Sequence, residues 1–410
     1  MTAAEKILQK ALVTSGLDSS QWNRVQAGLR DRAFFSSQVG LIRVLHALRD
    51  QSAAATEGVK SDSEIRRDIR EYLPKAGYKP GEDRGTIKDL FTKARLDVII
   101  DTNRRQARGF AQHMEATTNG ALRAFPAYEL VRVYERKQKR DWISRWTAAG
   151  GRLYSGNQMI ALKTDPIWSR INKAFGTPYP PFDWGSGMGV QDVSRGDCLA
   201  LGVIEEDTPD QTPPTADFNG SLEASFDAGH WSGDLAKFLH EKFGDQINYV
   251  QDQQTGNVSV KWQRSILHDM FERPSDYNGG KGWALGKASK KLLEECDKVD
   301  PDLRKLVEGR GFSLNDSIVK HTIADGHWLV DNHKDNMPVT HGDVDLVPTM
   351  WRDPDYIERG KDNDSLVLCI ECFDGGILKM PVHVNGNTPF GTGIYKQKGK
   401  SAEARPASIP

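Results

Sequence analysis

The period of the apolar residues changes along the chain, and that change most constrains what it can fold into. Up to about residue 115 apolar side chains return at helical spacing, first in Ile7, Leu8 and Leu12, then in Val39, Leu41, Ile42, Leu45 and Leu48. Ser61-Asp-Ser-Glu-Ile65 reads as another helix start, with Ser63 as cap before a run from Glu64 to Leu73. Thr86 to His113 reads as one or two further helices with Leu90, Phe91, Leu96, Ile99 and Ile100 on the packed side. From Tyr128 the pattern alternates: Tyr128-Glu-Leu-Val-Arg-Val-Tyr134 has the period of a half-buried strand.

A chain of 410 residues exceeds one ordinary core, so two or three domains are expected. Phe175 to Val190 carries three prolines and four glycines and reads as loop. Its Gly185-Ser-Gly-Met-Gly189 lacks the Lys-Ser/Thr ending of a phosphate loop. Glu205 to Gly220 is acidic and proline-bearing, as an exposed linker is. Beyond it come a helix from Leu235 to Phe243 and a hairpin, Ile247 to Val250 with Val258 to Trp262. The last region has helical runs at Ala288 to Leu293 and Pro301 to Glu308, then strand-like runs at Ser365 to Phe373, Gly376 to Val384 and Thr392 to Gln397. Helices followed by antiparallel strands point to an α+β domain.

The formal net charge is −1, so any nucleic-acid surface has to come from local clustering. Between Asp101 and Arg152 basic residues outnumber acidic ones by roughly two to one. The cluster Arg136, Lys137, Lys139 and Arg140 lies there; it reads either as a solvated face or as a patch meeting DNA or an acidic partner. Cys198, Cys296, Cys369 and Cys372 are too few for a disulfide framework. Cys369-Ile-Glu-Cys372 has metal-like spacing, but it sits in an apolar strand and no second such pair exists, so core cysteines are expected and no metal or cofactor. The first residues lack an apolar signal region, and no stretch approaches the ~20 apolar residues of a spanning helix, so no membrane association is expected.

Residues 96–204 resemble the Mu F-like (MuF) minor head proteins of tailed phages. The resemblance is carried by Leu96-Asp-Val-Ile-Ile-Asp-Thr-Asn-Arg-Arg-Gln-Ala107, the strand from Tyr128, Pro178-Tyr-Pro-Pro-Phe-Asp-Trp184 and Val193-Ser-Arg-Gly-Asp-Cys198. Where many members carry a His and Cys-Arg-Cys after the prolines, this chain has Ser186-Gly-Met188, so no cysteine-dependent feature carries over. The resemblance implies a low-copy capsid-assembly component incorporated near the portal. Portal and capsid proteins would be its partners, packaged DNA a further contact, and the virion its location after assembly in the host cytoplasm.

Residues 275–398 resemble the phage-borne barnase–EndoU–colicin–RelE-like (PBECR) nucleases found behind MuF domains. Asp316-Ser-Ile-Val-Lys-His321, His327, His333, Val347-Pro-Thr-Met-Trp-Arg-Asp-Pro-Asp355 and Gly391-Thr-Gly-Ile-Tyr-Lys396 carry it. The implied activity is a toxin-like, metal-independent endoribonuclease acting on host RNA after delivery. RNA cleavage through the 2′-OH needs a proton acceptor, a proton donor and a cation for the phosphorane, and histidine suits both proton roles near neutral pH. His327 and His333 are the candidate acid–base pair, His321 the substitute, and Lys396 the phosphate clamp, with Tyr395 and Thr392 as further donors. Spacings of six residues put side chains about 240° apart on a continuous helix, so convergence requires a break at Asp325-Gly326. The region is also slightly acidic, which disfavours phosphate attraction.

The expected architecture is multidomain. A mostly α-helical N-terminal half (1–95, then a small α+β MuF core over 96–204) leads through a linker (205–225) and a small helix-hairpin unit (226–274). A C-terminal α+β domain with a small antiparallel sheet (275–398) and a polar tail (399–410) complete it. Two rivals stay open: a purely structural head protein whose last domain is an inactive binding module, and an ADP-ribosylating effector, against which the lack of a Glu-x-Glu in strand context counts.

Overall fold

The computed structural model describes residues 2–14, 17–25, 27–135, 139–214, 223–226, 232–243, 247–262, 267, 270–271, 274–276, 282–329, 336–385 and 388–399. The chain mixes helices with several small sheets and divides into two compact units, Met1–Gln263 and Arg264–Pro410. Among the described residues no helix is long and apolar enough to cross a membrane.

In the first unit the helical period produces α1 (Ala3–Leu8), α2 (Ala27–Asp31), α3 (Ile42–Glu57), α4 (Asp62–Tyr72) and α5 (Lys93–Ala116). Ser61, rather than Ser63, caps α4. Its hydroxyl accepts from the Glu64 N–H (3.3 Å) while the Glu64 carboxylate accepts from the Ser61 N–H (2.9 Å). This reciprocal box needs an acidic residue three positions on, which Ser61 has and Ser63, followed at that spacing by Arg66, lacks. Leu12, in helical phase with Leu8, lies instead in a short parallel pair of β1 (Ala11–Leu12) and β2 (Ala33–Phe34), because the Ala11 N–H is taken by the Arg32 carbonyl (3.0 Å).

The alternating segment becomes β3 (Ala127–Arg132), central in an antiparallel sheet ordered β4 (Leu153–Tyr154), β5 (Gln158–Leu162), β3, β6 (Met188–Val193). Tyr128, Trp146, Trp168 and Phe182 fill its core, and both indole N–H groups reach backbone carbonyls at 2.8 Å, so burying them leaves no donor unpaired. The proline loop crosses α5 at Gly109, where a Cβ would overlap the Pro180 carbonyl oxygen, so only glycine allows the approach. That crossing seats a buried cluster: Lys6 pairs with Asp31 (2.9 Å) and donates to the Tyr179 hydroxyl, which donates to Asp31 (2.7 Å). Burial alone would raise the Asp31 carboxyl, but the Lys6 and Lys10 ammoniums outweigh it and hold it below the usual range.

The segment read as a linker is partly tied down. Arg123 meets Asp210 at 3.0 Å, and the Gln211 amide donates to the Pro126 carbonyl (2.7 Å). The helix-hairpin expected to stand apart shares the first unit's core. β7 (Glu223–Phe226), α6 (Gly233–Phe243), β8 (Ile247–Gln251) and β9 (Val258–Trp262) bring Leu239, Phe243, Val260 and Trp262 against Val13, Leu17, Trp22 and Leu29. A two-stranded hairpin buries too little apolar surface to stand alone, and the Trp262 N–H finds its acceptor on Leu29 (2.7 Å).

The second unit is built on a sheet ordered β10 (Gly282–Lys287), β11 (Gly311–Asn315), β16 (Thr388–Gly391), β15 (Gly376–Asn385), β14 (Ser365–Glu371), β13 (Tyr356–Arg359). β17 (Tyr395–Lys398) also pairs with β15 and with β12 (Asn336–Met337). Pairings are antiparallel except β11 with β16. α7 (Lys290–Val299), α8 (Pro301–Val307) and α10 (Val347–Arg352) pack on one face, and α9 (Ser317–Ala324) approaches β16, where Ile318 lies against Gly391. Ile357, Leu366, Leu368, Ile370, Leu378, Met380 and Val382 form the buried apolar layer. Cys369 and Cys372 are buried free thiols, and burial drives the Cys369 thiol up to about 12, as core cysteines should behave.

Candidate functional site

A strand sends alternate side chains to opposite faces, so the apolar layer implies a second set of residues on the other face. Register places Tyr356, Cys369, Lys379 and Tyr395 opposite one another across β13, β14, β15 and β17, in one row. Glu358, two residues past Tyr356, lies on the same side, and the Lys379 ammonium reaches both its carboxylate oxygens at 2.7 Å. The Glu358 side chain keeps 41% of its exposure, so the pair sits at a water boundary. His383 follows Lys379 on this face, 3.9 Å from Asp362.

His327 joins the row from outside the sheet. α9 ends at Ala324, and Gly326 takes a left-handed backbone (φ 70°), so the helix stops before His327 and the expected break exists. The His327 N–H then bonds to Thr322 (3.0 Å) and its carbonyl accepts from Val339 (2.8 Å), which sets its ring 5.7 Å from the Tyr395 ring. Burial, then the Glu358 and Cys369 charges, raise the Tyr395 hydroxyl above its ordinary range. The Tyr356 hydroxyl is raised by burial first and then by Cys369 and Glu358. Both phenols therefore remain protonated donors at neutral pH. A carboxylate, two phenols and an imidazole are partly exposed along this row, with the Lys379 ammonium buried behind Glu358.

Comparison with protein families, characterised proteins and solved structures finds no match. The site therefore rests on its own geometry.

Of the residues singled out by sequence, the structure brings His327 and Tyr395 together. His321 is exposed on α9, with its Cβ 3.5 Å from where a Gly393 Cβ would stand, near the same strand but not shown in contact with the row. His333 lies outside the described residues. Thr392 is not on a strand: its N–H is taken by Pro381 (3.0 Å), and the neighbouring Ile394 N–H by the Thr322 hydroxyl (2.9 Å), so the last strand begins at Tyr395.

Lys396 cannot serve as a phosphate clamp. One residue out of phase with Tyr395, it points into the core at 2% exposure and pairs there with Asp343 (2.8 Å) and Asp374 (2.6 Å). Burial opposes its charge, but the Asp343 carboxylate beside it dominates and holds the ammonium well above its ordinary range. Its charge is spent inside the fold.

The residues that sequence reasoning missed are Glu358, Lys379 and Tyr356. Only Lys379 carried a signal, a polar residue between the core residues Leu378 and Met380 in an alternating run; Tyr356 and Glu358 stand on a strand too short to show one. In the first unit, the basic cluster is partly consumed by local contacts. Lys139 pairs with Glu135 (2.8 Å), and Arg140 donates to the Trp184 carbonyl (2.9 Å) beside Asp183. Arg136 and Lys137 lie outside the described residues.

Proposed function

We propose that this chain is a phage minor head protein of the MuF kind whose second unit cleaves RNA on the open face of its sheet. The observation that carries the catalytic half is the meeting of Glu358, Lys379, Tyr395 and His327 on one surface. Glu358 accepts the proton of the 2′-OH as that oxygen attacks phosphorus. Lys379 neutralises the phosphorane, with Tyr395 as a neutral donor to its oxygens. His327 protonates the departing 5′ oxygen. The bidentate pair with Lys379 holds Glu358 in place, and an entering phosphate competes for the same ammonium.

The head-protein half is supported by the resemblance over residues 96–204 and by the long α5, the antiparallel sheet and the proline loop docked at Gly109, which fit that family's expected order of elements. Portal and capsid proteins are then its assembly partners, packaged DNA a contact, and the virion its location.

A purely structural reading has one observation in its favour: Lys379 is buried and Glu358 already satisfies it, as in a structural ion pair. Incubating the full chain with transfer RNA in EDTA separates the two. Cleavage that persists in EDTA and disappears in Glu358→Gln is expected; intact RNA in both samples leaves only a binding module. Mass spectrometry of purified virions tests the other half, and absence of the chain from particles removes it.

A further inference from the structure

In the first unit a cavity of about 320 Å³ opens between α2, α5 and the proline loop, within the size range of small-molecule sites. Three cationic side chains line it, from three directions. Lys10 comes from the turn before β1, Arg30 from α2 and Arg95 from the first turn of α5. Lys10 is only 3% exposed, and it shares the field of one carboxylate, Asp31, with Lys6. Among the described residues the Arg30 guanidinium meets neutral acceptors, Asn23 (3.0 Å) and the Ala174 carbonyl (2.6 Å). Arg95 likewise bonds to the Ser36 hydroxyl and the Ser37 carbonyl, both at 3.0 Å. Both guanidinium Nε atoms are buried without a partner. The cavity's one carboxylate, Asp31, is already neutralised by Lys6.

Three positive charges thus surround a space with no free counter-charge. Lys10 is buried and Arg30 and Arg95 are partly so, and an excess of positive charge around a concave space favours an occupant that supplies the missing negative charge. A carboxylate would leave two charges over, whereas a phosphate monoester, carrying about −1.5 to −2 at neutral pH, comes closest to balancing the set. Four aromatic residues also line it: Trp22 stacks on Phe35 (centroids 4.1 Å apart), and Trp184, 48% exposed at the rim, meets Phe175 edge-on (4.9 Å). Gln106, buried at 8%, adds an amide without a side-chain partner among the described residues. We infer that this cavity binds a small phosphomonoester bearing a flat ring, of the nucleotide class, with its phosphate between Lys10, Arg30 and Arg95 and its ring on the aromatic wall. The site is independent of the sheet face in the second unit and of any activity there.

Calorimetric titration of the full chain with adenosine 5′-monophosphate, inorganic phosphate and adenosine tests this. The monophosphate should bind, phosphate more weakly, and adenosine not measurably. Lys10→Met and Arg95→Gln should each weaken the monophosphate about 10- to 100-fold, the loss expected for one charge-assisted contact. Unliganded Lys10→Met should melt at the same temperature as the parent or higher, because burial opposes the Lys10 charge more than Asp31 favours it, and Asp31 keeps Lys6. Three results would overturn the inference: no heat from the monophosphate at millimolar concentration, equal binding of adenosine, or a Lys10→Met protein that melts lower and binds unchanged.

Discussion

The two faces of the second unit's sheet each carry a lysine against carboxylates, and they differ in what surrounds the pair. On the core face Lys396 is sealed between Asp343 and Asp374, and no route leads a substrate to it. On the other face Lys379 meets one carboxylate that keeps contact with water. The residue type is the same and the strands are neighbours in register. Both ammoniums are buried, and the partner separates them: a phase difference of one residue gives Lys379 a carboxylate that is 41% exposed and gives Lys396 two that are sealed. A buried ion cluster is also intolerant of losing a member, while a half-exposed pair is not, and that difference can be attacked experimentally.

The largest expected effect lies on the open face: Glu358→Gln should lower RNA cleavage about 100- to 10,000-fold, the usual contribution of a proton acceptor. Measured single-turnover rates that stay within a few-fold of the parent would make the two faces functionally alike. Next comes the closed face. Lys396→Met strands two buried carboxylates and should destabilise the second unit by about 3–5 kcal/mol, read as faster amide exchange over residues 282–399.

The same rule carries to the first unit. Burial, then the Lys163 and Lys6 charges, push the His113 imidazole down to about 4 from an ordinary 6.5. The unfolded chain takes up a proton near pH 6.5 that the folded one refuses until about pH 4, so stability falls on acidification across that window and is flat above it. The loss reaches about 3 kcal/mol near the lower end. Thermal melts from pH 7 to 4, with a His113→Gln control whose acid dependence is shallower, check it. The smallest effect closes the comparison: Lys379→Met should cost less stability than Lys396→Met, since the one carboxylate it leaves, Glu358, is 41% exposed and can turn to water. A urea midpoint as low as that of Lys396→Met would show that exposure does not separate the two lysines.

How much was legible in advance follows from what each feature depends on. α5, the hairpin of β8 and β9, and strands β14 and β15 were readable because their apolar period is local and long. β13, at four residues, is too short to show a period, and β16 carries a proline. Ser61 was open to local reasoning, since its partner Glu64 stands three residues on. The candidate site was half legible. His327 and Tyr395 could be picked by chemistry, but Lys396 was chosen on chemistry without its phase.

By itself the sequence determined the helical front, the later strands, the core character of Cys369 and Cys372, and the helix stop before His327. Each is a matter of neighbouring residues within one or two turns or strands. Only the tertiary structure decided that the hairpin belongs to the first unit's core, that Lys396 meets sealed carboxylates while Lys379 meets a partly exposed one, and that Lys10, Arg30 and Arg95 share one cavity. Those facts depend on which surfaces meet across hundreds of residues, and on burial, which raises or cancels the cost of a charge in a way that no local pattern encodes.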